Sequence, residues 1–186
     1  QLSENKKTLQ EKLFHDLLGN SFIGNITNTL NYLGLTELKN DDYFISVVNI
    51  SNFMDLIQDD DEEQKYICNL TLYNWVASFI VGYNNVEGSN IIPDMKCRII
   101  NYRVDQIVIL FYNDIDEVTP LLEELIDRGA KDLGFNLTVG IGNKYQNLTD
   151  MYISYKEACS AAMLSCIYGK GTVYIFNDIN YENKLY

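Results

Sequence analysis

The sequence predicts an α+β domain: a mostly antiparallel mixed sheet of about five strands, flanked by helices and preceded by an N-terminal linker helix. Its 186 residues are 47% hydrophobic with only two prolines, enough apolar surface for one core and too much for a disordered chain. After two leading helical patterns, strand-like and helix-like segments follow in the order β-α-β-β-α-β-α-β. Two of the strand segments are separated only by Arg103-Val104-Asp105, which makes them a tight hairpin.

Residues 1–20 form the linker helix, 21–180 the domain and 181–186 the start of a further linker. From Leu2 to Leu18 the chain is polar apart from Leu2, Leu9, Leu13 and Leu17, with Phe14 beside them, at helical spacings. So narrow a stripe needs a partner, either a twin helix in a dimer or the helix's own domain. Gly19-Asn20 stops it, and Ile26, Leu30 and Leu33 mark a short second helix closed by Gly34.

Tyr43 to Ile50 is rich in β-branched and aromatic side chains and reads as a buried central strand. The acidic run Asp59 to Glu63 suits a helix N-terminus, where it complements the macrodipole; Tyr66, Leu70, Tyr73, Ala77 and Ile80 would share that helix's apolar face. Gly82 and Asn84-Asn85 end it, and a loop with Gly88 and Pro93 leads to the hairpin strands Lys96 to Tyr102 and Gln106 to Tyr112. Thr119-Pro120 looks like the cap and first position of a helix carrying Leu122, Leu125, Ile126 and Leu133. A strand from Phe135 to Ile141 follows, then Asn147 as a cap, then a helix facing inward through Tyr152, Tyr155, Cys159, Ala162 and Cys166. Gly169 to Gly171 turns the chain into a last strand, Thr172 to Phe176.

A formal net charge of -12, from 14 basic and 26 acidic residues, argues against nucleic-acid binding by this chain itself. No apolar stretch approaches the roughly 20 residues of a membrane span, so no membrane contact is expected. Opening on Gln1 inside a running helix, the chain reads as a segment of a longer protein. Cys68, Cys97, Cys159 and Cys166 form no CxxC pair and are expected to be buried free thiols, as in a reducing cytoplasm. Sequons at Asn25, Asn49, Asn69, Asn136 and Asn147 are attributed to chance in so Asn-rich a chain. Gly140-Ile-Gly142 lacks the third glycine of a dinucleotide fingerprint and is expected to be a strand-to-loop turn. The single His15 can build neither a zinc cluster nor a catalytic triad and is expected to face solvent.

Two stretches carry a resemblance: YFISVVNISNFMDLI from Tyr43, and LTVGIGNKYQNLTDMYISYKEACSAAMLSCIYGKGTVYIFNDI from Leu137. Thr138 to Gly142, Tyr155 with Ala158, Gly169-Lys170 and Val173 to Asp178 resemble, in order and spacing, the end of GGDEF-type, nucleotide-cyclase-like domains. Leu13-Phe14-His15-Asp16-Leu17-Leu18-Gly19 is similar to the linker phrase of degenerate GGDEF-like middle domains in AraC-family, YesN-like DNA-binding response regulators. A working diguanylate cyclase of this family joins two GTP molecules with metal ions held by a first-strand Asp and by the acidic residues of its hairpin. The resemblance places Asn49 and Ser51 at the family's two aspartates, and Arg103-Val104-Asp105-Gln106-Ile107 at the Gly-Gly-Asp/Glu-Glu-Phe motif. Hard cations need oxygen ligands, preferably charged, and only Asp105 keeps one. Neither glycine that lets the backbone approach a nucleotide is present.

The resemblance therefore implies no enzyme activity, no catalytic or metal-binding residue and no cofactor. It implies a signal-transmitting, dimerising module of a cytoplasmic two-component transcriptional regulator. A receiver domain would lie on the N-terminal side, and DNA would be bound only through a helix-turn-helix domain outside this chain. Leu2, Leu9, Leu13 and Leu17 would form the linker or dimer helix. The alternative is a domain sensing a nucleotide or other small molecule in the former cyclase cleft, served by Arg103 and Asp105.

Overall fold

In the computed structural model, residues 2–39, 41–57, 61–84, 96–169 and 171–178 are described. Helices α1 (Leu2–Leu18) and α2 (Ile26–Leu33) precede a 3-10 turn at Thr36–Lys39 and the strand β1 (Phe44–Ile50). The short α3 (Phe53–Leu56) and long α4 (Glu62–Asn84) lead to the hairpin β2 (Cys97–Arg103) and β3 (Gln106–Phe111). Then come α5 (Ile115–Asp132), β4 (Leu137–Ile141), a 3-10 turn at Leu148–Asp150, α6 (Met151–Met163), α7 (Ser165–Tyr168) and β5 (Val173–Ile175).

The five strands form one sheet in the order β2-β3-β1-β4-β5. β1 is antiparallel to both β3 and β4, β2 is antiparallel to β3, and only β5 pairs in parallel, with β4. The units β1-α4-β2 and β3-α5-β4 each skip one strand position, which the other unit fills, giving the interleaved split β-α-β arrangement. Both faces are covered, which is why β1 and β3 read as near-continuous apolar runs rather than alternating ones. Phe44, Val48, Ile109 and Phe111 meet Leu72 and Val76 of α4 and Leu122 and Leu125 of α5. On the other face Ile45, Val47, Val108 and Leu110 meet Leu13, Phe14 and Leu17 of α1 and Ala158 of α6.

Local signals behaved as their chemistry requires at several ends. Asn20 (φ 54°) and Gly34 (φ 69°) adopt the left-handed conformation that closes α1 and α2. Asp61 accepts a hydrogen bond from the Glu63 amide at 2.8 Å ahead of α4. The acidic position Asp59, the loop with Gly88 and Pro93, Asn85, Lys170 and the linker 181–186 lie outside the described residues.

Four expectations need correction. The buried face of α4 runs through Leu72, Val76 and Ile80, while Tyr66 and Leu70 are exposed. α5 begins four residues before Thr119: its cap is Asp114, whose amide donates to the Glu117 carboxylate at 3.4 Å, and Pro120 lies inside the helix. α6 turns Met151, Ser154, Tyr155, Ala158, Ala161 and Ala162 inward and leaves Tyr152 and Cys159 half-buried, while Cys166 falls in α7 and is exposed. The four thiols are free, but none is fully buried. Burial nonetheless pushes the Cys97 thiol up to about 11, so it is neutral at physiological pH.

The leading helix needs the most consequential correction. Leu13 and Leu17, with Phe14 and Leu18, are buried in the chain's own second core, so they are not free to pair with a twin helix. Leu9 is exposed, and the Leu2 side chain lies outside what is described. His15 is exposed, yet its Nε2 sits 2.8 Å from the Asn101 carbonyl and its ring meets Tyr102 edge-on, clamping α1 to the sheet edge.

Candidate functional site

The C-terminal end of β1 and the β2–β3 hairpin bring the candidate positions together. Asn49 lies in register between Gln106 of β3 and Thr138 of β4. On a single pleated face such cross-strand neighbours are close enough for side chains to bond. Gln106, almost fully buried, donates from Nε2 to Asn49 Oδ1 at 2.7 Å, and the Tyr155 hydroxyl donates to Gln106 Oε1 at 2.8 Å. Cys159 Sγ lies 3.8 Å from the same Nε2. Ser51 Oγ reaches Thr138 Oγ1 at 3.4 Å and is not part of this chain of bonds.

Neighbouring side chains tune the network without activating it. Burial pushes the Tyr155 hydroxyl well above its ordinary range, partly offset by Arg103; the Arg103 guanidinium is in turn held on its charged side chiefly by Tyr155. Burial likewise raises the Cys159 thiol, with Tyr155 and Gln106 working against it. Neither group is poised as a base or a thiolate at neutral pH.

At the hairpin tip Val104 and Asp105 form the turn, with the Ile50 amide bonding the Asp105 carbonyl at 3.3 Å. Among the described residues only Asn20, apart from glycines, has a positive φ, so this turn does without the left-handed pair that two-residue hairpins favour. A register shift between Asn101 and Arg103 supplies the twist instead. Asn69 of α4 clips the bulge, donating to the Arg103 carbonyl at 2.9 Å while its Oδ1 accepts from Asn101 Nδ2 at 2.7 Å. Tyr155, Cys159 and Asn69 were not identified as site residues from sequence; a polar side chain on an inward helix face was the available signal.

A pair of divalent cations does not fit these groups. Two opposed carboxylates would need a cation between them, whereas two amides satisfy each other as donor and acceptor. Asn49 and Gln106 do the latter, and among the described residues no three His, Cys, Asp or Glu side chains cluster as ligands. Of the sizeable cavities lined by described residues, three contain none of Arg103, Val104, Asp105 and Gln106.

The family model of the GGDEF-like domain matches residues 95–164, which span the hairpin, α5, β4 and α6. Among solved structures, the GGDEF domain of DgcB from Caulobacter crescentus in complex with c-di-GMP matches with a TM-score of 0.51 and 13% identity, over 74% of this chain and 79% of that one. The coiled coil and GGDEF domain of the same protein matches with a TM-score of 0.49 and 18% identity, over 93% of each chain. No curated protein matches. At 13% identity the first likeness establishes the shared fold, a mixed α+β domain with a five-stranded sheet.

Proposed function

We propose that this chain is a non-catalytic regulatory module with a GGDEF-like fold, serving signal transmission and homodimerisation in a longer AraC-family regulator of a two-component system. The observation that carries the reading is the Asn49–Gln106 bond of 2.7 Å. Where a cyclase needs anionic ligands, this chain has a closed, neutral amide pair braced by Tyr155. DNA would be bound by a helix-turn-helix domain outside the chain, in keeping with its net charge of -12. A receiver domain on the N-terminal side would act through α1. Because α1 is packed on the sheet and its His15 meets Tyr102 of β2, which in turn meets Tyr155, an altered α1 position would be felt at the amide pair. No helix among the described residues is long and apolar enough to cross a membrane; a cytoplasmic location belongs to this same reading.

Incubating the chain with GTP and magnesium and separating the products chromatographically tests the central claim. No cyclic dinucleotide is expected; its formation in proportion to protein would overturn the reading.

Homodimerisation through the Leu13–Leu17 stripe is closed off by burial, so pairing is assigned to the exposed apolar side of α4. Tyr66 and Ile67 are 62% and 52% exposed there, an apolar patch on a charged chain. Light scattering should give twice the chain mass for the parent and a single-chain mass for Ile67→Glu. A parent monomer at high concentration removes dimerisation from the proposal.

A further inference from the structure

β2 is an edge strand, and the way its edge is enclosed distinguishes it from an ordinary open one. The Tyr112 amide bonds the Lys96 carbonyl at 3.0 Å, which fixes the alternation along the pair. Lys96, Arg98 and Ile100 exchange bonds with β3, so the amides and carbonyls of Cys97, Ile99 and Asn101 point outward. The Asn101 carbonyl meets His15 as that parity requires. Between them, Ile99 borders a cavity of about 520 Å³ walled by α1 and α4, within the usual size of small-molecule sites.

The walls specify a chemistry. Arg98 lines the cavity with its guanidinium 4.8 Å from the centre of the Phe14 ring, a stacking that fixes the planar fork. Among the described residues no carboxylate lies within ion-pair distance of Arg98 or Lys7, in a chain with 26 acidic and 14 basic residues. Lys7, Glu11 and Arg98 together give the lining a net single positive charge, and Leu70 and Tyr73 supply apolar surface.

We propose that this groove binds a small monocarboxylate with an apolar body, its carboxylate on Arg98 and the outward Ile99 amide, its body against Leu70 and Tyr73. A monoanion matches the lining charge, and a guanidinium fork presents two parallel donors to a carboxylate. Because the ligand touches α1, α4 and β2 at once, its binding fixes α1 against the sheet. The inference stands apart from the cyclase positions and does not depend on the regulator reading.

Titrating the ¹⁵N-labelled chain with benzoate, phenylacetate and hexanoate, each against its own amide, while following the Ile99 amide resonance tests the site. At least one carboxylate should give a saturable shift, with its amide about tenfold weaker, since the charge-assisted bonds are lost. Arg98→Gln, checked for a parent-like spectrum, should weaken that carboxylate by a similar factor. No saturable shift with any of the three, equal binding of the matching amide, or unchanged affinity in a folded Arg98→Gln would overturn the proposal.

Discussion

Replacing Gly140 by alanine is expected to cost about 3 kcal/mol of folding stability, the upper end of what overpacking a core does. A Cβ built at Gly140 would stand 2.0 Å from the Ala158 carbonyl oxygen and 2.6 Å from the Ala162 amide nitrogen. Both are backbone atoms of α6, so no rotamer change relieves the clash and the helix itself must move. Moving it disturbs buried Met151 and Ala158 and withdraws Tyr155 from Gln106. Gly142, on the same side of the strand direction, is in the same position: its Cβ would meet the Ser154 carbonyl oxygen at 2.1 Å. Ser154 Oγ there accepts from the Ile45 amide and donates to the Asn143 carbonyl. Urea unfolding measures the loss, with Gly82→Ala as the control. Gly82 has nothing within 4 Å of its missing Cβ and lies at an exposed position of α4, where alanine should add up to about 1 kcal/mol. Gly140→Ala with a parental midpoint would show that α6 does not lie this close to β4.

That pair of glycines also shows where sequence reading stops. The sequence places Gly140 at the end of the Phe135 to Ile141 strand, with Gly140-Ile-Gly142 leading into the loop, and suggests a conformational role for the glycines. Gly140 does sit within β4, but it is small because another backbone lies against it. Nothing local encodes that; it needs α6, with its own small residues Ser154, Ala158 and Ala162, on the facing side. The plan of the sheet was legible because β1 and β3 carry unbroken apolar runs and the hairpin leaves no other pairing. The inward face of α4 was not, since Tyr66, Ile67 and Leu70 are as apolar as Leu72 and Val76, so periodicity marked no side. For α1, periodicity showed that a partner was needed and left open which, and the partner is the chain's own core. The start of α5 was misplaced because Thr119-Pro120 mimics a helix start more strongly than Asp114 with Glu117. Asn49 and Gln106 were singled out only through the resemblance, and their mutual bond depends on the β1–β3 register, which joins residues far apart in sequence.

Placing acids at both positions, in the double variant Asn49→Asp with Gln106→Glu, is expected to destabilise the chain by about 3 kcal/mol at neutral pH. The variant loses the donor that Gln106 gives Asn49, and it opposes two carboxylates across one strand pair, one at an almost fully buried position. Such a pair holds a shared proton, so the folded-state pKa of one carboxyl rises above its unfolded value of roughly 4. A raised folded pKa means that the stability is intact below the unfolded value and falls as pH increases through the folded one, so the deficit should vanish in mild acid and grow toward neutrality. The Tyr155 hydroxyl, pushed up by burial and neutral throughout this range, continues to donate and does not supply the dependence. Magnesium should raise the melting temperature of the double variant near neutral pH and leave that of the parent unchanged, because only opposed carboxylates create a site for a hard cation. Thermal melts across pH, with and without magnesium, separate these effects. A double variant as stable as the parent at neutral pH would mean that the two side chains do not meet in solution. Without that meeting, the proposal of a non-catalytic module would lose the observation that carries it.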